Sequence, residues 1–536
     1  MLSLEKRSRQ LIGKVAAQAA AYPKQANGLW FEDEISLNFY AASYLFAASL
    51  DADIRVRFDR EQAKQNAEDV FRSLLQLQDV QEDSATYGLW SSNVESVELM
   101  GILMVYFVER CGDDLSPDLR AEFEKALQAI YQSRFYDIPL QDYGHQDAKY
   151  TASKLIFGYT YGDGELLEEG RRSLQQLLHH VKEQGMSEYS APSWFWHWVQ
   201  AFTCVRLLLD DPEVTDHTNQ ILDYLWNERS LYYIGGAWAG PHAHIQPGDA
   251  PKDGNVAFDY LQYGDFRLPP QLLQYEYAGF LFYEAPEEAR IAAMDRLVPV
   301  EVKKNIPKMS AEGSKSMLHS YTYLTDAYAV GGMWEYDESP DQVQHRWDVT
   351  LPLSYELGST VNQAYMIHPK DSSKPNNLLH GSSYTHILPD RSVVMAMYTV
   401  PQDEHPDLVG VLPKGEWIYD EKAMFGLVGG VYLAVFIRNG YQKDEQDDRI
   451  LLSSTGHQNA VVFEAASVEE AESLDAEDLE EFADLMRERA PMFSEDGNRL
   501  QYRSLHSRKL ELSVTEVNKV QAQINGQLAS FHDHIK

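Results

Sequence analysis

The spacing of the apolar residues changes once, near residue 300, and no other feature constrains the fold as much. From about residue 4 to 297, apolar side chains recur every three or four positions in segments of helical length. "EISLNFYAASYLFAASL", "ESVELMGILMVYFVERCG", "YTASKLIFGYTYGDGELLEEGRRSLQQLLHHVKEQG" and "SWFWHWVQAFTCVRLLLDD" are examples. Gly112, Pro117, Gly162, Gly185, Pro192 and Pro212 break the pattern at short intervals, as a string of helical hairpins requires. Hairpins of this kind close into a ring whose inner helices surround a cleft. The spacing therefore predicts an N-terminal (α/α) helical toroid over residues 1–300.

After about residue 318 the pattern becomes alternation between turn residues, as in "SYTYLTDAYAV", "RSVVMAMYTV", "GVYLAVFIRNG" and "KLELSVTEV". This predicts a C-terminal antiparallel β-sandwich over residues 318–536, and with it an α+β multidomain chain. Residues 298–316, rich in Lys, Ser, Gly and Pro, read as the junction between the two. "VEEAESLDAEDLEEFADLMRERAP", residues 468–491, reads as one acidic, solvated helix inserted among the strands and packed on the sandwich.

With 536 residues and 44% hydrophobic content, the chain can bury more than one core. Asp and Glu number 82 against 46 Lys and Arg, and the net charge of −36 opposes binding to nucleic acid or an anionic membrane surface. The first residues are amphipathic and charged, unlike a secretory signal. The longest apolar run, Leu99 to Val108, falls short of the ~20 residues of a membrane span. Cys111 and Cys204 are the only cysteines, which suits a reducing compartment, and the cytoplasm is the expected location. There is no P-loop, dinucleotide fingerprint, H-E-x-x-H or G-x-S-x-G, and His380, His386 and Asp348 match no compact zinc pattern, so no cofactor or metal is expected. A homo-oligomer is left open.

Residues 235–264, "GGAWAGPHAHIQPGDAPKDGNVAFDYLQYG", interrupt the helical part with an irregular loop. His242 and His244 point the same way if the backbone is extended, and either imidazole suits general-base work or the polarising of a carboxylate. Tyr260 and Tyr263 follow, with hydroxyls suited to proton transfer at a leaving oxygen. "GMSEYSAPSWFWHWVQ" offers Glu188, Tyr189, His197 and three tryptophans. Trp194, Trp196 and Trp198 are two apart and cannot share one helix face, so some should line a cleft, where flat rings stack on sugars; core packing is the alternative. Trp90 and Asn93 precede a helix, where Asn93 is either an N-cap or an amide for a substrate carboxylate. His145 and Tyr150 lie in a loop leading into another helix. Gln344, His345, Arg346 and Asp348 open a β run, with Arg346 either reaching an acidic sugar or forming an interface ion pair.

The layout, and the segments "YTASKLIFGYTYGDGELLEEGRRSL", "GMSEYSAPSWFW", "AGPHAH", "YTYLTDAYAVGG" and "QHRWDVT" in their order and spacing, resemble the polysaccharide lyases of the heparinase II/III, chondroitin and alginate/glucuronan lyase type. Ala152, Ser190 and His244 stand where that group commonly has asparagine, asparagine and arginine. The resemblance implies β-elimination at a uronic acid in an oligosaccharide or polysaccharide. It assigns His242 and His244 to base work or carboxylate neutralisation, with Asn93 as an amide substitute. Tyr260 or Tyr189 would then transfer a proton to the leaving oxygen, and Trp90, Trp194 and Trp238 would stack on sugars, with Glu188, His197 and Arg346 as further binding residues. Two other classes remain open. One is a glycoside hydrolase on the same toroid, pairing Glu188 with Asp253 or Asp259 at about 5 to 9 Å; the other is a non-catalytic carbohydrate-binding relative.

Overall fold

The computed structural model describes residues 2–32, 34–90, 95–186, 188, 191–243, 255–296, 299–309, 315–337, 344–370, 381–516 and 519–535. Two compact units are each drawn from several stretches of chain. The first comprises residues 1–184, 193–227 and 255–286, and the second residues 185–192, 228–254 and 287–536.

The helical part runs through α1 (Leu4–Ala21), α2 (Ile35–Leu50), α3 (Arg60–Gln76), α4 (Glu95–Cys111), α5 (Pro117–Ser133), α6 (His145–Tyr161), α7 (Gly164–Gln184), α8 (Pro192–Leu208) and α9 (Pro212–Leu231). α2, α4, α6 and α8 are buried almost all round, whereas α1, α3, α5 and α7 bury one stripe. A helix apolar on every side needs neighbours on every side, so the even-numbered helices form an inner layer and the odd-numbered ones an outer layer. α2 packs on α1, α3 and α4, α4 also on α5 and α6, and α6 on α7. Residues 255–286 then return to the start of the chain. The Arg7 Nε donates to the Leu261 carbonyl at 2.9 Å, and the Gly279 N–H donates to the Tyr44 hydroxyl at 2.7 Å. This return completes an (α/α) toroid.

The second unit is an antiparallel β-sandwich. Among the described residues an eight-stranded sheet runs, edge to edge, through Gln442–Glu445, Arg449–Thr455, Asp407–Pro413, Gln363–Ile367, Trp347–Thr350, Ala329–Met333, Lys315–Leu324 and Val300–Met309. A six-stranded sheet follows the order Thr385–Asp390, Val393–Thr399, Gln458–Ser467, Val431–Ile437, Ala423–Val428 and Glu416–Tyr419. Trp347, Tyr365, Val394, Tyr398, Leu433 and Phe463 fill the space between the two sheets. The outer face of the six-stranded sheet is also buried, under a small five-stranded sheet spanning residues 492–528 and helix Leu479–Arg487.

Two local expectations are corrected. Within the junction segment, Val300–Met309 is an edge strand paired with Lys315–Leu324. Val302, Lys304 and Ile306 alternate into the fold, and the Lys304 ammonium is buried because it meets Glu228 at 2.6 Å; a lysine-rich stretch therefore hides a strand. The acidic segment is two helices, Val468–Glu472 and Leu479–Arg487, separated by Asp475 at φ 62° and started by the Ser467 and Asp478 caps. Phe482, Ala483 and Met486 are buried on the sheet, as packing of the segment on the sandwich requires; only the number of helices differs. Among the described residues no helix is long and apolar enough to cross a membrane.

Candidate functional site

The first turns of the inner helices α4, α6 and α8 converge within the first unit. Glu98 from α4 and Lys149 from α6 form an ion pair at 2.8 Å, with side chains 0% and 3% exposed. The Gln146 amide donates both to Glu98 and, at 3.0 Å, to the Tyr150 hydroxyl. His145 stacks on Trp194 of α8 with ring centres 4.3 Å apart, and lies 5.8 Å from the ring of His197. Three helix N-termini meeting beside a lysine present the positive ends of their dipoles together, a setting that favours anionic groups.

The titration behaviour follows from this crowding. Burial, and then the charges of Lys149 and His145, hold the His197 imidazole well below its ordinary value, so it is neutral near pH 7. Among the described residues its Nδ1 has no hydrogen-bond partner. Burial pushes the Tyr150 hydroxyl up to about 12.

One helical turn on from His197, the Gln200 amide donates to Glu276, whose other oxygen accepts from Asn255 at 3.0 Å. Burial lifts the Glu276 carboxyl to about 8, with the Gln200 hydrogen bond and the Lys149 charge opposing that shift. Glu276 sits at φ 42°, a backbone conformation that costs energy for a side chain of its size and clusters at functional positions. The Gln200 carbonyl oxygen accepts from the Tyr277 N–H at 3.0 Å, which fixes the amide that faces Glu276.

A second polar group lies within the second unit. His242 is fully buried on the short strand His242–Ala243, directly across from His345, and its Nδ1 is 2.7 Å from the Gly240 carbonyl. The His345 Nδ1 lies 4.0 Å from Asp348, whose other oxygen accepts from the Thr350 hydroxyl at 3.1 Å. Two singled-out stretches, the loop at 235–264 and "QHRWD", are thus brought together. Glycine explains how: Gly240 takes φ 95°, and a Cβ on Gly331 would stand 2.5 Å from the Gly240 Cα. Gly331→Ala is expected to push the strand carrying His242 off its seat. Its check is paired measurement of turnover and melting, with a loss of about 1–3 kcal/mol in stability, as for other overpacked positions.

The other expected site residues are placed as follows. Trp90 is buried, and its indole N–H donates to the Leu74 carbonyl at 2.7 Å, which makes it a packing residue and not a sugar platform. Trp196 and Trp198 are both buried despite being two apart, because an inner helix has neighbours on all sides; Trp194 is the half-buried one. The Tyr260 hydroxyl donates to Gln10 of α1 at 2.5 Å, inside the first unit. Trp238 packs within the second unit with the Arg229 guanidinium 4.6 Å from its ring. Arg346 is buried in the sandwich and donates to the carbonyls of Met333, Trp334 and Thr385. Glu188 is half-buried in the second unit. Asn93, Tyr189, His244, Asp253 and His380 lie outside the described residues.

Sequence reasoning passed over Glu98, Lys149, Gln146, Gln200, Asn255 and Glu276. For the helical ones a signal exists: charged or amide side chains near the start of segments otherwise apolar all round, where burial forces them to find partners. Lys149→Met is expected to cost about 3–5 kcal/mol by stranding the buried Glu98 carboxylate. Thermal melting of the single variant against Lys149→Met/Glu98→Gln checks this, and the double variant should recover much of the loss.

No family model matches the sequence, and no curated protein matches it. Among solved structures the chain is similar to a Streptomyces coelicolor A3 chondroitin AC lyase in complex with chondroitin sulphate, at 9% identity and a TM-score of 0.49, over 97% of this chain and 89% of that one. It is also similar to a chondroitinase AC lyase described from enzyme–oligosaccharide complexes, at 10% identity and a TM-score of 0.40, over 97% of this chain and 93% of that one.

Proposed function

We propose that the chain cleaves uronic-acid-containing oligosaccharides or polysaccharides by β-elimination, with the helical cluster as its reaction site. The observation that carries this reading is the convergence of three inner-helix N-termini on a neutral histidine, a tyrosine and a stacked aromatic pair. Trp194 on His145 gives a sugar ring a flat partner. The neutral His197 takes the proton α to the uronate carboxylate. Asn255 and the protonated Glu276, the latter held in place by Gln200, receive that carboxylate as negative charge builds on it. The Tyr150 hydroxyl gives its proton to the departing glycosidic oxygen as the C–O bond breaks and a carbon–carbon double bond forms. His242, beside His345, is the second candidate base.

A glycoside hydrolase is the second reading, and the observation favouring it is Glu276, since a carboxyl protonated near neutrality is what a general acid requires. The two readings separate in one experiment on glucuronate, iduronate and mannuronate polymers and their oligosaccharides. Elimination produces ultraviolet absorbance from the unsaturated sugar together with new reducing ends. Reducing ends without absorbance reject elimination in favour of hydrolysis. Binding without either product rejects both.

A further inference from the structure

In the small C-terminal sheet, Arg503 on strand Arg499–Arg503 stands directly across from Lys509 on strand Lys509–Glu516. Side chains paired in this way lie about 4.5–5.5 Å apart at Cβ, and like charges so placed repel. Both are exposed, and among the described residues neither has a carboxylate within ion-pair distance. This is unexpected in a chain with 82 acidic residues, because nearly any neighbouring surface could supply a counterion.

The pair lines a cleft of about 750 Å³ that also holds Arg489, Gln501, Gln523 and Ser507, a size typical of small-ligand clefts. Its carboxylates are Glu488 and Glu511. Glu511 is already held by Arg499, at 2.8 and 2.7 Å, and by Gln501 at 2.7 Å. Three cations therefore face one further carboxylate. Amide and hydroxyl side chains beside them are the groups that hydrogen-bond sugar hydroxyls.

We propose that this cleft binds the sulfate or carboxylate groups of an anionic oligosaccharide, at a site built from none of the residues of the helical cluster. An anion set between Arg503 and Lys509 turns their repulsion into two charge-assisted hydrogen bonds. The Gln523 amide and the Ser507 hydroxyl beside the cations add neutral hydrogen-bonding partners, which suit a glycan better than a bare inorganic ion. The proposal shares its ligand class with the lyase reading but does not need turnover, so either can fail alone.

The test is calorimetric titration of the full chain with a chondroitin 4-sulfate tetrasaccharide, a neutral cellulose tetrasaccharide and sodium sulfate. The variants are Arg503→Gln/Lys509→Gln and, for the helical cluster, Trp194→Ala/His197→Gln. The expected result is binding of the sulfated tetrasaccharide that survives in the helical variant and weakens at least tenfold in the cleft variant, with Kd rising steeply with salt. Without ligand, the cleft variant should melt no lower than the parent, because a repulsion has been removed. Loss of all binding in the helical variant alone overturns the proposal, as does equal binding of the neutral sugar. Sodium sulfate binding as tightly as the tetrasaccharide makes the cleft an inorganic-anion site and also overturns it. So does a cleft variant that melts several degrees early, or one that changes the oligomeric state, which would make the face a contact between copies.

Discussion

Replacing His197 with glutamine is expected to lower turnover on a cleaved uronate oligosaccharide by about 10²–10⁴-fold, the range that a positioned acid or base contributes. The melting midpoint should stay near that of the parent, since glutamine keeps much of the ring's volume and the His197 Nδ1 has no hydrogen-bond partner to lose among the described residues. The effect should fall on kcat with KM little changed, whereas Trp194→Ala, which removes a stacking face, should act mainly on KM. The pH profile distinguishes a base from a merely structural ring. Burial and the charges of Lys149 and His145 keep the imidazole neutral well below its ordinary value, so parent activity should persist as the pH falls through about 6.5, where an unperturbed histidine would become charged. If His197→Gln keeps full turnover, the base lies elsewhere, and His242→Ala is the next variant to assay.

How far the sequence led depended on whether the signal was periodic. The apolar character of α2, α4 and α8 on every side, against the single stripes of α1, α3, α5 and α7, is a pattern of composition, whereas α6 buries Asp147, Lys149, Ser153 and Lys154 and reveals its inner position only in the fold. The sandwich is legible as short β-rich runs between turn residues, although central strands such as Val393–Thr399 and Val431–Ile437 are buried on both faces and do not alternate. Val300–Met309 was hidden because its inward Lys304 is neutralised by Glu228, a residue 76 positions earlier that no local pattern connects to it. The site was legible only in part. "SWFWHWVQ" pointed to an aromatic wall, and Trp194 stands half-buried there, but Trp90 looked equivalent and proved to be packing. Glu276 could not have been found this way: its neighbours Tyr275 and Tyr277 make "QYEYAGF" read as core, and its left-handed backbone is a product of the fold. Gln344–His345 and His242–Ala243 were both singled out, yet their pairing across some 100 residues is a matter of tertiary register.

Glu276→Gln should separate the carboxyl's cost to stability from its use in binding. In the folded chain the carboxyl is protonated up to about 8, against an ordinary value of 4.5. Between those two pH values the native state holds a proton that the unfolded chain has released. Stability is therefore greatest below about 4.5, declines as the pH rises, and levels off above about 8. The total loss is on the order of a few kcal/mol, from about 1.4 kcal/mol per pH unit. Glutamine cannot ionise, so the variant should lose this part of the slope and be the more stable chain at pH 8.5 while nearly matching the parent at pH 4.5. Glu464, buried in the second unit and lifted to about 7, has the same sign and should leave a slope that ends sooner and a smaller total loss. Activity should follow the same proton for a different reason: once Glu276 ionises, it repels the substrate carboxylate it is proposed to receive. Parent turnover should then fall above about pH 8, while the glutamine variant stays active at higher pH, with melting curves and initial rates collected across one pH series. A flattened stability slope with an unchanged rate profile would place Glu276 away from the substrate. An unchanged stability slope would mean that the native carboxyl is already ionised, and the cluster would then need a different group to receive the uronate.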